Sequence, residues 1–253
     1  MTHRFIRTEL LLGKAALARL QHAQVTVVGL GAVGSYAVEG LVRSGVGRLR
    51  LVDFDMVRAS NINRQLYALE STLGRLKTDL ARERILDINP ACEVDVRNVF
   101  IDEQTAAAVL EPRPDVLVDA IDSLNPKVFL LGAAIQAGVP VVSSMGAAKR
   151  LDPLAIRVGD LADTRGCSLA RLVRKRLRSK YGIRRGVHCV YSIEPVHKTG
   201  PADAPVLPPE KELLRRGRPR QPIGSFSCLT GIFGLVAARE AIMRLLNDRA
   251  FNG

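Results

Sequence analysis

The feature that most constrains the fold is a glycine pattern between two apolar stretches. Gly29-Leu30-Gly31-Ala32-Val33-Gly34 fits G-x-G-x-x-G, with "QVTVVG" leading into it and "SYAVEGLVRSGVG" following. The leading run predicts a buried strand. The following run predicts a helix that stops at Gly45 or Gly47. "RLRLVDFD" predicts the next strand. This is one βαβ unit, and it predicts an α/β, Rossmann-like, doubly wound and mostly parallel sheet. The first glycine permits the tight turn, the second lets a phosphate approach the backbone, and the third allows close packing of helix on strand. The helix N-terminus offers N–H donors and a positive end to an anion. Asp53 follows Gly34 by 19 residues, where a carboxylate can accept from ribose hydroxyls. These features suit NAD and ATP alike.

The next residues separate the two nucleotides. "DFDMVRASNINRQ" places Asn61, Asn63, Arg64 and Gln65 just beyond the second strand, and Lys77 follows on an amphipathic helix read over Leu73 to Asn89. "DVLVDAID" reads as a strand ending in acids, the last of them Asp122. In an open α/β sheet, ligands bind beyond the carboxyl ends of the strands, at the switch point. Arg64 and Lys77 there can balance triphosphate charge, and Asp122 can hold Mg²⁺. Attack of a carboxylate on an α-phosphate needs such cations. Each residue also has a plainer reading. Lys77 can be a solvated helix charge, Asp122 the N-cap of the helix in "SLNPK", and the two asparagines turn formers. A hydride-transfer enzyme has no use for the combination, and no catalytic histidine–arginine pairing is evident among His3, His22, His188 and His197.

The rest of the chain follows the same rhythm and then loses it. "CEVDVRNVF" and "PVVSSMGAA" read as strands, with "NPKVFLLGAAIQAGV" as a helix between them. "LDPLAIRVGDLA" reads as a hairpin arm or strand, "SLARLVRKRLRSKYG" as a basic helix and "VHCVYSIEPV" as a strand. Residues 198–222 are rich in Pro, Gly and charge and read as a mobile loop. Residues 223–246 read as a closing strand-turn-helix, with "CLTGIFGLVAA" as a buried helix. We therefore expect a single domain over 1–253, with a nucleotide-binding part at 1–150 and an RNA-binding, dimer-completing part at 151–253.

Charge follows the same division. Residues 1–150 hold 18 Lys and Arg against 16 Asp and Glu, while residues 151–253 hold 19 against 9. The excess of the +12 chain is thus local, which points to a polyanion, with RNA ahead of membrane lipid. Nine of these cations and no acid lie between Asp163 and Glu194. Arg171, Arg174 or Lys175, and Arg178 share a helical face, with Lys180 a turn away, so the row can track phosphates. Arg215, Arg216, Arg218 and Arg220 form a second cluster in the 198–222 loop. The alternative is a solvated surface helix.

Four cysteines stand at 92, 167, 189 and 228 without C-x-x-C spacing, so no structural zinc is expected. Cys167 at the start of the basic helix beside Arg165 is the one with nucleophile character; the other three read as packing residues. No apolar run reaches the ~18 residues of a membrane helix. "MTHRFIRTELLLG" is interrupted by charge and does not read as a signal peptide, so a cytoplasmic location is expected.

The run from "VVGLGAVGSYAVEGLVRSGVGRLRLVDFDMVRASNINRQ" through "GRLKTDLARERILDINP" to "DVLVDAID" resembles the ubiquitin-activating-enzyme-like, ThiF-type adenylyltransferase superfamily over roughly residues 4–150. That resemblance implies a homodimer that binds ATP and Mg²⁺ and adenylates a carboxylate. It implies a nucleotide site of Gly29, Gly31, Gly34, Asp53, Asp55, Asn61, Arg64, Gln65, Lys77 and Asp122, with Arg64, Lys77 and Asp122 supporting the chemistry. It also implies an N-terminal arginine reaching across the dimer, with Arg7 the matching position and Arg4 the second choice. Two branches fit a chain of this size. One activates the C-terminal Gly-Gly of sulfur-carrier proteins and usually carries paired C-x-x-C motifs, which are missing here. The other is the tRNA threonylcarbamoyladenosine dehydratase branch. Its "DAIDS", "DLADT…SLARLVRKRLRSKYGI", "CVYSIE" and "GSF…TGIFGLVAA" features all occur in order. By this resemblance the substrate is tRNA bearing N6-threonylcarbamoyladenosine, and a sulfur-relay protein of a cysteine desulfurase system is a possible partner.

Overall fold

A computed structural model describes residues 3–196 and 223–246, so the loop expected at 198–222 lies outside the described residues. Two short helices, α1 (Ile6–Leu12) and α2 (Lys14–His22), precede β1 (Gln24–Val28), α3 (Gly34–Arg43) and β2 (Arg48–Val52). After two 3₁₀ turns come α4 (Lys77–Ile88), β3 (Glu93–Arg97), α5 (Thr105–Ala108), β4 (Val116–Asp119), α6 (Leu124–Gln136) and β5 (Val141–Ser144). The chain then adds β6 (Ile156–Asp160), α7 (Ser168–Tyr181), β7 (His188–Ser192) and α8 (Ser227–Leu246). The strands form one sheet in the order β3-β2-β1-β4-β5-β7-β6. All neighbours are parallel except β6 on β7. The expected α/β, Rossmann-like, mostly parallel sheet is what forms, and the strand order reverses between β1 and β4.

Buried β-branched and leucine side chains explain the central strands. Val25, Val27, Leu49, Leu51, Val116, Leu117, Val118, Val141 and Val142 are all essentially inaccessible, as parallel strands covered on both faces require. One face packs on α3, α4 and α8, the other on α6 and α7. The α8–α3 contact depends on small residues. A Cβ on Gly234 would lie 2.3 Å from the Val33 carbonyl oxygen, and one on Gly40 would lie 2.8 Å from the Ala238 Cβ.

Three expectations about elements are corrected. Residues 223–226 form no strand, because β7 occupies the sheet position beside β5 and the carbonyls of Gly224 and Ser225 are bound instead by Lys149 N–H and the Asn63 amide. The helix read over Leu73 to Asn89 begins only at Lys77, since the preceding residues make an isolated bridge between Met56 and Leu76. The strand of "DVLVDAID" ends at Asp119, not Asp122.

Candidate functional site

Gly29 leaves β1 with φ +89, and a Cβ there would press against the Ala120 backbone at 3.0 Å. Only glycine combines that left-handed conformation with so close an approach to the β4 end. A Cβ on Gly34 would fall 1.7 Å from the Gly29 carbonyl oxygen, so α3 can start only where this glycine lets it. Gly31 differs: a Cβ there meets only the Gln65 Nε2, at 3.8 Å. Its backbone therefore fronts open space, as the approach of a phosphate requires.

Asp53 stands directly after β2 rather than within it. Its Oδ2 accepts from Leu30 N–H at 2.6 Å, and its Oδ1 accepts from Phe54 and Asp55 N–H at 2.7 and 2.9 Å. The carboxylate thus locks the glycine loop from beneath. Burial pushes its pKa up from the ordinary value, while Lys77 pulls it back. Lys77 opens α4 with a side chain only 5% exposed, its Nζ 2.9 Å from Asp55 Oδ2. A lysine so deeply placed against two carboxylates is a fixed charge, not a solvated one.

The loop over 61–68 is docked on the first turn of α3. Leu66 N–H donates to Ser35 Oγ at 3.3 Å, and Tyr67 Oη donates to Ser35 O at 3.4 Å. Asn61 is buried and its Oδ1 accepts from Arg58 N–H at 3.2 Å, so it shapes the loop. Arg64 is half-buried and donates to Ser60 O and Asn63 Oδ1, both at 2.8 Å. Gln65 is buried and its Oε1 has no hydrogen-bond partner, while its Nε2 is the atom nearest the Cβ position of Gly31. Such an orphaned acceptor is costly unless a ligand or water satisfies it. Asp122 is exposed, just past Ile121, whose backbone lies against Gly29. Ser123, not Asp122, takes the N-cap position of α6.

The site residues of the glycine loop, the 61–65 loop, Asp53, Asp55, Lys77 and Asp122 are therefore brought to one rim. Arg7 is not. Arg4 donates to Ile88 O at the far end of α4, and Phe5 packs near Gly45 beyond the far end of α3. With α4 about 17 Å long, the segment carrying Arg7 sits at the opposite end of its own sheet from Lys77.

A buried ion pair beneath the rim escaped sequence reasoning. Lys127 and Asp119 are both fully buried and paired through Nζ and Oδ2. Lys127 also donates to Ser143 Oγ at 3.2 Å and Ser144 O at 2.9 Å, and Ser143 Oγ donates to Asp119 Oδ2 at 2.6 Å. Asp119 Oδ1 accepts from Ile121 N–H at 3.0 Å, which sets the turn that carries Asp122. A lone lysine inside the apolar helix "LNPKVFLLGAAIQ" was the available signal. Lys127→Met is expected to lower stability by about 3–5 kcal/mol, because it strands a buried carboxylate. Equilibrium urea unfolding checks this, and a change under about 1 kcal/mol would contradict it.

The basic helix divides its charges. Arg171, Lys175 and Arg178 are exposed and have no ion pair among the described residues, so they form the free cationic face. Arg174, expected on the same face, is half-buried, and its guanidinium binds the carbonyls of Leu161 and Thr164 at 2.9 and 3.1 Å and Thr164 Oγ1 at 2.7 Å. Lys180 is occupied as well, by Glu103 at 2.7 Å and the Phe129 ring at 4.3 Å. Arg176 donates to Asn125 Oδ1 at 2.7 Å, tying α7 to the first turn of α6 beside Asp122. The arginines at 215–220 lie outside the described residues.

Cys167 is buried and caps α7 through Ala170 N–H. Burial raises the Cys189 thiol to about 12 and that of Cys92 to about 11. Cys228, read as a packing residue, is instead exposed, because the helix that carries it turns that face outward.

The ThiF family model matches residues 4–252. The chain belongs to the ThiF family. A Bacillus subtilis (strain 168) protein called tRNA threonylcarbamoyladenosine dehydratase is 39% identical, covering 98% of this chain and 96% of that protein. An Escherichia coli (strain K12) protein of the same description is 35% identical over 99% and 96% of the two chains. The crystal structure of the E. coli tRNA N6-threonylcarbamoyladenosine dehydratase in complex with ATP superposes with a TM-score of 0.86, at 34% identity over 99% of this chain and 96% of that one. A Drosophila yakuba protein called adenylyltransferase and sulfurtransferase matches less, at 34% identity over 53% of this chain and 29% of that protein.

Proposed function

We propose that this protein is an ATP-dependent enzyme that dehydrates N6-threonylcarbamoyladenosine at position 37 of tRNA to its cyclic form. The observation that carries the reading is full-length similarity to dehydratases of known structure, on a rim that gathers Asp53, Arg64, Lys77 and Asp122. ATP rests its phosphates over Gly31 and the α3 N-terminus, with Asp53 on the ribose. The threonyl carboxylate attacks the α-phosphate and pyrophosphate leaves. A group of the modification itself then closes on the activated carboxyl and expels AMP, so the net change is loss of one water. Arg64 and Lys77 hold the phosphate charge as it grows.

Among the described residues no three His, Cys, Asp or Glu side chains cluster as a metal site. Mg²⁺ needs no such cluster when phosphates supply most of its oxygens, and the Asp122 carboxylate suits it. Bound there, the ion would neutralise phosphate charge. Arg7 serves the partner's site in a homodimer, since its own site lies at the other end of the sheet. The chain comprises one domain, whose second part presents Arg171, Lys175 and Arg178 to tRNA. A sulfur-relay partner would meet its thiol at Cys228, the exposed cysteine. No helix among the described residues is long and apolar enough to cross a membrane, and the reading places the reaction where tRNA is, in the cytoplasm.

The second reading is activation of the C-terminal Gly-Gly of a small sulfur-carrier protein. Substrate-dependent ATP–pyrophosphate exchange separates the two. Exchange triggered by tRNA bearing the modification, and not by carrier proteins, is the expected result. The reverse dependence would overturn the proposal.

A further inference from the structure

The half of the rim beyond β5 holds a joint that the nucleotide site does not use. Arg150 is 2% exposed and has no carboxylate partner among the described residues. Its guanidinium binds three carbonyls: Gly146 O at 3.1 Å and Ser192 O at 2.9 Å from Nη1, and Gly166 O at 2.7 Å from Nη2. Its buried Nε has no hydrogen-bond partner. One side chain thus fastens the loop after β5, the end of β7 and the loop before α7. Each of these strands is parallel to β4, so the joint lies at the same end of the sheet as the nucleotide loop.

Two exposed cations flank it, Lys149 beside Arg150 and Arg165 beside Gly166, with no ion pair among the described residues. Lys149 has φ 59 and is the one non-glycine residue with positive φ among those described. Glycine or asparagine takes that conformation more readily, so a lysine there is not a choice of turn chemistry. Its N–H donates to Gly224 O at 3.0 Å, and the next carbonyl, Ser225 O, accepts from Asn63 of the nucleotide loop at 3.2 Å. The Gly224–Ser225 backbone therefore ties Lys149 directly to the nucleotide loop. The neighbouring acids are engaged with backbone: Glu194 accepts from Leu151 and Asp152 N–H at 2.9–3.0 Å, and Asp152 accepts from Leu154 N–H at 2.8 Å. The buried Arg150 guanidinium with Lys149 and Arg165 on either side thus gathers three cations on this part of the rim, with the Asp152 and Glu194 carboxylates turned to backbone N–H groups.

We propose that Lys149 binds an oxyanion of the acceptor substrate on this half of the rim, with Arg165 beside it and Arg150 as the positioning residue underneath. The inference rests on the tRNA dehydratase reading. The oxyanion is either the threonyl carboxylate or a phosphate next to the modified base. Both present the same chemistry to an ammonium group.

The test uses Lys149→Asn and Lys149→Gly, both of which suit a positive φ, with Lys149→Arg as the rescue. The KM for modified tRNA is expected to rise roughly fivefold or more in the first two, with ATP affinity and thermal midpoint held, and to recover in the third. Binding of tRNA lacking the threonylcarbamoyl group identifies the oxyanion. Weaker binding of both tRNAs assigns a phosphate, and weaker binding of the modified tRNA alone assigns the carboxylate. An active wild type with unchanged KM in both variants overturns this inference alone. A wild type that leaves the modification intact overturns the proposed function and this inference with it.

Discussion

Lys77→Ala is expected to slow AMP formation by about 10²–10³-fold while the chain stays folded. The side chain is 5% exposed and its ammonium lies 2.9 Å from Asp55 Oδ2, so its charge is fixed before ATP arrives. A preorganised charge stabilises a developing phosphate charge without reorganisation at the moment of reaction. Loss of the lysine leaves Asp55 unpaired, but that carboxylate is 36% exposed and can be solvated, and buried Asp53 keeps its three backbone N–H donors. The thermal midpoint should therefore fall by only a few degrees. The site also predicts a complementation. Arg7→Ala and Lys77→Ala are each expected to be strongly impaired alone, because in the proposed homodimer each site takes Lys77 from one protomer and Arg7 from the other. Mixed and allowed to exchange subunits, they should regain about a quarter of wild-type activity through heterodimers carrying one intact site. No recovery after demonstrated exchange would place Arg7 outside the partner's chemistry.

The second large effect is on RNA. Arg171, Lys175 and Arg178 are exposed and without ion pairs among the described residues, so the triple alanine variant should lose little stability. Removing a cation that neutralises one phosphate should reduce the salt slope of tRNA binding by roughly one, so the triple variant should show a slope shallower by roughly two to three units. ATP affinity should stay as in the wild type. Arg174→Ala makes the contrast: its guanidinium holds the Leu161 and Thr164 carbonyls, so it should lower stability more than the salt slope. A triple variant with an unchanged slope would remove α7 from the RNA interface.

The first half of the chain is legible because its signals are local. The glycine turn, the apolar strands and the acid after β2 each need only their own neighbours to be recognised. What escaped depends on pairing across distance. The run "DVLVDAID" contains three acids, and nothing in it says that Asp119 is the one sealed inside with Lys127. The runs around β6 and β7 read as a hairpin arm or strand and as a strand, but nothing local says that β7 inserts beside β5 and leaves β6 as an antiparallel edge. Helical spacing puts Arg174 on the cationic face, yet the turn over 161–164 takes its guanidinium for backbone carbonyls. Residues 223–226 look extended, but with the neighbouring sheet position filled their carbonyls go to Asn63 and Lys149.

The central claim is that this rim spends ATP on the carboxylate of a modified tRNA base. The most direct test follows AMP release from ATP and Mg²⁺ with tRNA bearing N6-threonylcarbamoyladenosine, alongside mass spectrometry of the digested nucleosides. The account predicts one AMP for each modified adenosine that loses one water. AMP formed without that loss, or the loss without AMP, would contradict it.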